Sequence, residues 1–435
     1  MMGCSTHSWN GQGCGALVDN YALMRVEDAA QRSISMVQPV HDIESVPVCE
    51  AVSRRAAVDV RAPRAMPPFD NSAVDGFAVR SAQLDHRGPL RLPVLATVAA
   101  GDEPRPAVSP TTPGVCRICT GAPVPPGFDA VVMQEETDMD GSFAVFGRKP
   151  AKGANIRRQG EDIAPGQVLA RQGTWLDPRH IGCLAASGFQ SVDVFRKPRV
   201  GVFSTGNEIA GSSDPVPPGQ IPDANRPMLL SLARSAGASV TDLGIVTDDL
   251  GETTRFLTAH NGDFDLIISS GAASRGERDF LRLALERAGG DVETWRLALK
   301  PGKSVVAGKL GQTTYMGLPG NPLAAFVTFR LLVLGQLAVL SHRRSGRTSV
   351  RHSLAIAGFA ASTRPGRKEY FPARVREYSA EGHPVLERLG RGSASLLPLC
   401  LADGLGCLSG MSEEIRVGDE MCWLPFVESG REFVS

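Results

Sequence analysis

From about residue 196 to 341 the chain alternates between two rhythms. Short apolar stretches from Val200 to Phe203, Val240 to Gly244, Leu266 to Ile268 and Thr313 to Gly317 predict buried strands. Between them, helical spacing predicts a helix from Pro227 to Ala236 closed by Gly237. It also predicts one capped by Asp249 that runs to His260, one opening at Phe280, and a strongly apolar one from Leu323 to Leu340. Strand and helix in alternation predict an α/β domain with a mainly parallel sheet. The flanks read differently. From 61 to 150, short runs from Phe77 to Val79, Leu92 to Val98, Val115 to Cys119, Ala130 to Met133 and Phe143 to Phe146 lie between Pro and Gly turns and predict a β-rich block. Beyond the polar, basic stretch after Ser341, strands are expected from Leu354 to Phe359, Glu369 to Val375, Leu396 to Leu399 and Met421 to Leu424. Glu50 to Val58 reads as a helix or helix end stopped by Pro63, Pro67 and Pro68. Asp177 and Pro178 open a helix that Gly188 ends. Residues 1 to 20 carry no periodicity and are expected to be a disordered extension.

Composition narrows the function classes. The 435 residues suffice for two to four domains. Lys plus Arg equal Asp plus Glu at 46 each, so no overall field draws nucleic acid or an anionic membrane. The basic cluster from 342 to 351 lacks interleaved aromatics and reads as a solvated linker. No stretch of about 18 apolar residues free of charge appears, and the N-terminus lacks the basic-then-apolar order of a signal peptide, so the expected compartment is the cytoplasm. Nine cysteines, an odd number scattered over the chain, argue against a disulfide framework. Cys116-Arg-Ile-Cys119 has no second pair or histidine beside it and is not read as a zinc site. Chemistry has to be sought in local clusters.

The densest cluster follows the predicted strand ends. After Leu266 to Ile268 comes Ser270-Gly-Ala-Ala-Ser-Arg-Gly-Glu-Arg-Asp279, where Gly271 and Gly276 allow tight turning and the next helix points its positive end into the loop. Ser270, Ser274 and Arg275 can bind a phosphate there, and Asp279 can hold a metal ion or cap the helix. A predicted strand from Arg296 to Ser304 carries Arg296, Lys300 and Lys303 to one end, followed by Leu318-Pro-Gly-Asn-Pro322. Strand Val200 to Phe203 runs into Ser204-Thr-Gly-Asn-Glu208. Loops bearing hydroxyl, amide, acidic and basic groups would thus open on one sheet edge, where open α/β proteins bind ligands; a phosphorylated ligand is expected. Phe69-Asp-Asn-Ser-Ala-Val-Asp75-Gly76 has two carboxylates and an amide close together, read either as turn chemistry or as a site. Asp248 and Asp249 are open between capping and binding. His260, at a helix end, reads as a surface cation.

In chain order, Phe69 to Arg80, Thr120-Gly-Ala-Pro123, Arg158-Gln-Gly-Glu-Asp-Ile163, Ser204 to Glu208, Asp223-Ala-Asn225, Ser270 to Asp279, Lys300-Pro-Gly-Lys303 and Gly317 to Pro322 resemble the MoeA family of molybdopterin molybdenumtransferases, relatives of the gephyrin E domain. The resemblance covers about residues 21 to 430. It implies an α/β plus β multidomain fold: an elongated domain from 21–60 and 151–195, a β-rich domain inserted at 61–150, a three-layer α/β molybdopterin-binding domain at 196–341, and a β-barrel-like domain at 342–435. It implies insertion of molybdenum from molybdate into adenylylated molybdopterin with release of AMP, a Mg2+ requirement and a homodimer, with molybdopterin adenylyltransferase as a candidate partner.

Carried over residue by residue, the resemblance gives catalytic roles to Asp75, Asp162, Glu208 and Asp279. Substrate binding falls to Thr120, Ser204, Thr205, Asn225, Gly271, Ser274, Gly276, Arg296, Lys300, Lys303, Pro319 and Pro322, and metal binding to Asp248 and Asp279. Alternatives are a gephyrin-like pterin-binding scaffold without turnover and an adenylyltransferase acting on a related pterin. The chain departs from common family patterns at Ala272 and Arg275 in the glycine loop, at Ala224, where a serine is usual, and at Arg296, where lysine is frequent.

Overall fold

A computed structural model describes residues 23–84, 89–103, 112–211, 216–271, 280–343, 352–363, 365–390, 392, 394, 396–410 and 413–426. The described residues fall into two compact units, 41–196 and a second comprising 23–40 with 197–426.

The first unit contains a six-stranded sheet in the order Ala130–Met133, Gly76–Val79, Val115–Ile118, Leu90–Val98, Phe143–Phe146, Thr137–Asp140. Its core is built from Phe77, Val79, Leu92, Val115, Ala144 and Phe146, the apolar positions of the predicted runs. The chain entering this sheet pairs with the chain leaving it in four short antiparallel ribbons: Ile43–Pro47 with Ser191–Phe195, Arg54–Arg55 with Trp175–Leu176, Val60–Arg61 with Val168–Ala170, and Asn71–Ser72 with Ile156–Arg157. The helix expected from Glu50 to Val58 is not formed. A single 3-10 turn at Val48–Glu50 gives way to strand Arg54–Arg55, whose register with Trp175–Leu176 outweighs the local spacing. Helix Pro178–Ala186 starts as read, with the Asp177 carboxylate accepting from the amides of Arg179 and His180. Cys116 is buried in its strand, and burial pushes its thiol up.

The second unit is built on a mixed six-stranded sheet in the order Ser239–Val246, Arg199–Thr205, Leu266–Ser270, Thr313–Leu318, Ser304–Leu310, Asp291–Arg296. The first four strands are parallel and the last two antiparallel. Val200, Val202, Leu266, Ile268 and Met316 contribute to one core layer, whereas Phe203, Ile267 and Tyr315 contribute to another, which explains why these strands read as unbroken apolar runs. The first layer is closed by helix Val26–Ser35, by Asn225–Ser235 and by the apolar segment Pro322–Leu340. That segment is long and apolar enough to cross a membrane, but most of it is buried in this core. It is helical from Pro322 to Thr328, takes a π turn at Phe329–Val333 and resumes at Leu334–Leu340. Within the π turn the Leu332 carbonyl accepts from the Ser33 hydroxyl at 3.2 Å, so the N-terminal helix caps the irregularity.

Beyond this sheet, Ser353–Ala357, Lys368–Tyr378, Pro384–Arg388, Gly404–Leu408 and Glu420–Pro425 close into a five-stranded barrel. The strand expected at Leu396 to Leu399 is instead a turn of helix, Leu397–Cys400, with Pro398 in its first turn and only Leu399 buried. The single strand expected from Arg296 to Ser304 is interrupted. Strand Asp291–Arg296 ends, Leu299–Lys300 leaves the sheet to pair in parallel with Lys368–Glu369 of the barrel, and Ser304–Leu310 returns.

Candidate active site

The parallel strands bring their carboxyl ends level: Ser204 is opposite Ser270, Ser270 opposite Leu318, and Thr205 opposite Val246. Ser204, Thr205, Ser269 and Ser270 are all buried. Asn225, at the start of helix Asn225–Ser235, crosses this edge, and its side-chain NH2 donates to the Ser270 hydroxyl at 2.7 Å and to the Gly320 carbonyl at 2.6 Å. One amide thus fixes the end of a strand and the loop after its neighbour. The Asn225 Oδ1 and the hydroxyls of Ser204 and Ser269 are buried without hydrogen-bond partners. Unmet buried acceptors and hydroxyls are costly in a finished fold and are expected where a polar ligand completes them. The loops approach so closely that side chains are excluded. Gly271 has φ +101°, and a Cβ there would stand 2.4 Å from the Thr205 carbonyl oxygen. A Cβ on Gly320 would lie 3.5 Å from the Gly271 Cα, an ordinary contact, so the exclusion is at Gly271.

The acidic residues of this edge lie on the loops after Thr205 and Val246. Asp248 accepts from the Asn207 amide at 3.3 Å while the Asn207 side-chain carbonyl accepts from the Asp248 amide at the same distance, which joins the two loops. Asp249 is the helix cap, accepting from the Glu252 amide at 2.8 Å. Glu208 is exposed and folds back over Gly206, where a Cβ would meet its carboxylate oxygen at 2.7 Å. Among the described residues, no three acidic, histidine or cysteine side chains gather closely enough to hold a metal ion. Ser274, Gly276 and Asp279 lie outside the described residues. His260 ends helix Leu250–Ala259 and packs between Phe256 and Phe264.

Beside the same edge lies a cleft of about 680 Å3, lined from the α/β side by Arg296, Lys300, Lys303, Pro319, Asn321 and Leu323, and from the barrel side by residues that include Glu369, Phe371 and Arg388. Pro322 opens the adjoining helix. The loop that carries the cations is held on three sides: the Arg296 carbonyl accepts from the Met24 amide at 2.7 Å, the Lys303 carbonyl from Leu297 at 2.7 Å, and the Ala298 carbonyl from Lys368 at 2.9 Å. Gly302, at φ +101°, lies against the helix so tightly that a Cβ would meet the Thr328 methyl at 2.7 Å. Glu369 is buried, and its Oε1 takes both the Lys300 ammonium at 3.1 Å and the Arg388 guanidinium at 2.6 Å. Arg388 also lies 4.5 Å from the centre of the Phe371 ring. Arg296 Nη1 is buried without a hydrogen-bond partner.

Sequence reading missed Glu369 and Arg388 as site residues. They reach the cleft only through the pairings Lys300↔Glu369 and Ala373↔Arg388, and no local signal announces either.

In the other unit, Asp75 and Thr120 are in contact. Asp75 Oδ1 accepts from the Thr120 amide at 2.7 Å and from its hydroxyl at 3.1 Å. Both residues are exposed, and so is Asp162, whose amide donates to the Met66 carbonyl at 3.1 Å. Neighbouring Asp70 is engaged differently: a hydrogen bond from the Gln159 amide, with the Arg158 guanidinium beside it, holds its carboxyl below the usual range.

The chain matches family models in order along its length: the MoeA N-terminal region (domains I and II) over residues 24–188, a probable molybdopterin binding domain over 201–339, and the MoeA C-terminal region (domain IV) over 355–426. It is 37% identical to a molybdopterin molybdenumtransferase of Haemophilus influenzae over 80% of this chain and 85% of that one. It is 36% identical to one of Bacillus subtilis over 70% and 72%. A crystal structure of a molybdopterin biosynthesis MoeA protein from Pyrococcus horikosii superposes with a TM-score of 0.77 at 28% identity, covering 93% of this chain and 100% of that one. With these regions in register and a relative this similar across four-fifths of its length, the chain belongs to the MoeA family of molybdopterin molybdenumtransferases.

Proposed function

We propose that the chain inserts molybdenum into adenylylated molybdopterin, consuming molybdate and releasing AMP. The observation that carries the reading is the cleft in which Arg296, Lys300, Lys303 and Arg388 meet beside a sheet edge whose Ser204 and Asn225 keep buried polar atoms unpartnered. Such a cleft suits a polyanion with a polar ring system. The cations take phosphate or molybdate oxygens through charge-assisted hydrogen bonds. Ser204, Thr205, Asn225 and the backbone at Gly271 bind the pterin phosphate end together with Ser274 and Gly276, while Pro319 and Pro322 shape the wall. Asp75, oriented by Thr120, and Asp162 position water or molybdate.

The carboxylate oxygens of Asp248 and Glu208, on loops joined by the Asn207–Asp248 pair, are the donor type that magnesium prefers, with Asp279 as the further ligand. Magnesium held there supplies charge neutralisation for the phosphates. We further infer a cytoplasmic homodimer in which the cleft of one chain is completed by Asp75 of the partner subunit, with an adenylyltransferase delivering the substrate and no part played by nucleic acid or membrane.

The test is incubation of the full chain with adenylylated molybdopterin, magnesium and molybdate, following AMP by chromatography and active cofactor by reconstitution of a molybdenum enzyme. Binding of the pterin without AMP release would reduce the chain to a pterin-binding scaffold. Asp279→Asn separates the roles of that residue: unchanged melting and pterin binding with AMP release largely lost is expected of a ligand, and near wild-type release of a helix cap.

A further inference from the structure

We propose that Glu369 is a resident counter-anion of the cationic cleft, with which an incoming oxyanion competes for Lys300 and Arg388, so that this one barrel carboxylate sets the affinity and the charge selectivity of the site. The inference rests on the reading of the cleft as an oxyanion site.

Glu369 is 7% exposed, and Lys368, the cation beside it on its own strand, pairs with Glu27 instead. Its two partners come from elsewhere, Lys300 from the α/β body and Arg388 from the neighbouring barrel strand. Both contacts fall on the same oxygen, Oε1, which draws the two cations to one point on the cleft wall. Lys300 has a half-exposed side chain, so its ammonium faces the cavity as well as Glu369, and Arg296 brings a buried, unpartnered guanidinium nitrogen to the same cavity.

Among the described residues, the cleft is lined by Arg296, Lys300, Lys303 and Arg388 against the carboxylate of Glu369, a net charge of +3. Without Glu369, the partly desolvated Arg388 and Lys300 would be uncompensated, a costly state. With it, every anion that enters must offset weakened Glu369 contacts and the repulsion of a nearby carboxylate. The weakened contacts cost every anion alike, whereas the carboxylate's repulsion and the cations' attraction both grow with ligand charge. Glu369 therefore trims the advantage of a dianion over a monoanion of the same shape.

A purely structural salt bridge and a competing counter-anion make opposite predictions for oxyanion binding. Wild type, Glu369→Gln and Glu369→Asp chains are titrated calorimetrically and by thermal shift with molybdate and with perrhenate, a tetrahedral oxyanion with one charge fewer. Glu369→Gln is expected to melt lower than wild type without ligand, to bind molybdate about tenfold tighter, to show the larger molybdate-induced rise in Tm, and to gain preference for molybdate over perrhenate. Glu369→Asp should return towards wild type. Molybdate binding to Glu369→Gln that is equal to or weaker than wild type overturns the proposal, whatever happens to the melting temperature. Should Glu369→Gln not fold, Arg388→Met decides: molybdate binding weakened about tenfold supports the proposal, and unchanged binding overturns it. Neither titration requires turnover. AMP release with no gain in Glu369→Gln sinks the counter-anion alone, and the expected gain without AMP release sinks only the transferase reading.

Discussion

Lys300 illustrates how much a single side chain carries in this cleft. It lies at the end of a two-residue strand, half-exposed, and faces both Glu369 and the cavity. Lys300→Ala should leave folding intact, because the side chain lost is largely solvated. It should weaken binding of adenylylated molybdopterin by about tenfold, the loss of one charge-assisted contact of about 1.5 kcal/mol. Calorimetric titration checks this, and unchanged affinity removes Lys300 from the site. Lys300 and Lys303 could be singled out from sequence because the Lys-Pro-Gly-Lys run concentrates charge at a turn. Glu369 could not. A glutamate flanked by lysine and tyrosine reads as an ordinary strand residue, and only the long-range pairing of residues 299–300 with 368–369 reveals which charges it faces.

At the scale of elements, Asn225 is the tie between helix Asn225–Ser235, the end of strand Leu266–Ser270 and the loop at Gly320. Asn225→Ala removes two buried hydrogen bonds and leaves the Gly320 carbonyl unsatisfied, so a destabilisation of about 1–3 kcal/mol is expected in chemical denaturation, together with weaker pterin binding. Equal stability would show that the loops are held by backbone contacts alone. The barrel offers a pH test. His352 Nε2 lies 2.8 Å from the Tyr370 hydroxyl, and burial, with Lys368 nearby, lowers the histidine's pKa while burial raises that of the tyrosine. The folded state therefore favours the neutral form of His352 beside Tyr370. Because the unfolded chain binds a proton on this residue more readily, stability is complete above the ordinary histidine pKa of about 6.5 and falls as pH drops towards the lower folded value. His352→Gln, which can accept from Tyr370, should flatten this loss between pH 7 and 5 in thermal melts; an unchanged profile would place the acid sensitivity elsewhere. The α/β strands and helices were legible because their apolar runs and glycine stops repeat at the right spacing. Leu396 to Leu399 was not, since three leucines around Pro398 fit a buried strand as well as the short, mostly exposed helical turn they form.

For the whole molecule, the sequence places Asp75 and Lys300 far apart, and each belongs to a different compact unit. The proposed homodimer makes them neighbours across chains, which leads to a complementation test. Asp75→Asn chains mixed with Asp279→Asn chains, whose intact cleft again has to join two subunits, should recover roughly a quarter of wild-type AMP release once subunits have exchanged, because half the dimers are mixed and each carries one intact cleft. No recovery after demonstrated exchange would contradict a site shared between chains. The barrel bears on a different question, that of modularity. Residues 299–300 leave the α/β sheet to become an edge strand of the barrel, and Glu369 and Arg388 line the cleft from the barrel side. A barrel that looks detachable in the sequence is thus woven into the cleft wall by a borrowed strand. Exchanging barrels between relatives would change part of the cleft wall along with the scaffold, because Glu369 and Arg388 travel with the barrel while Arg296, Lys300 and Lys303 stay behind.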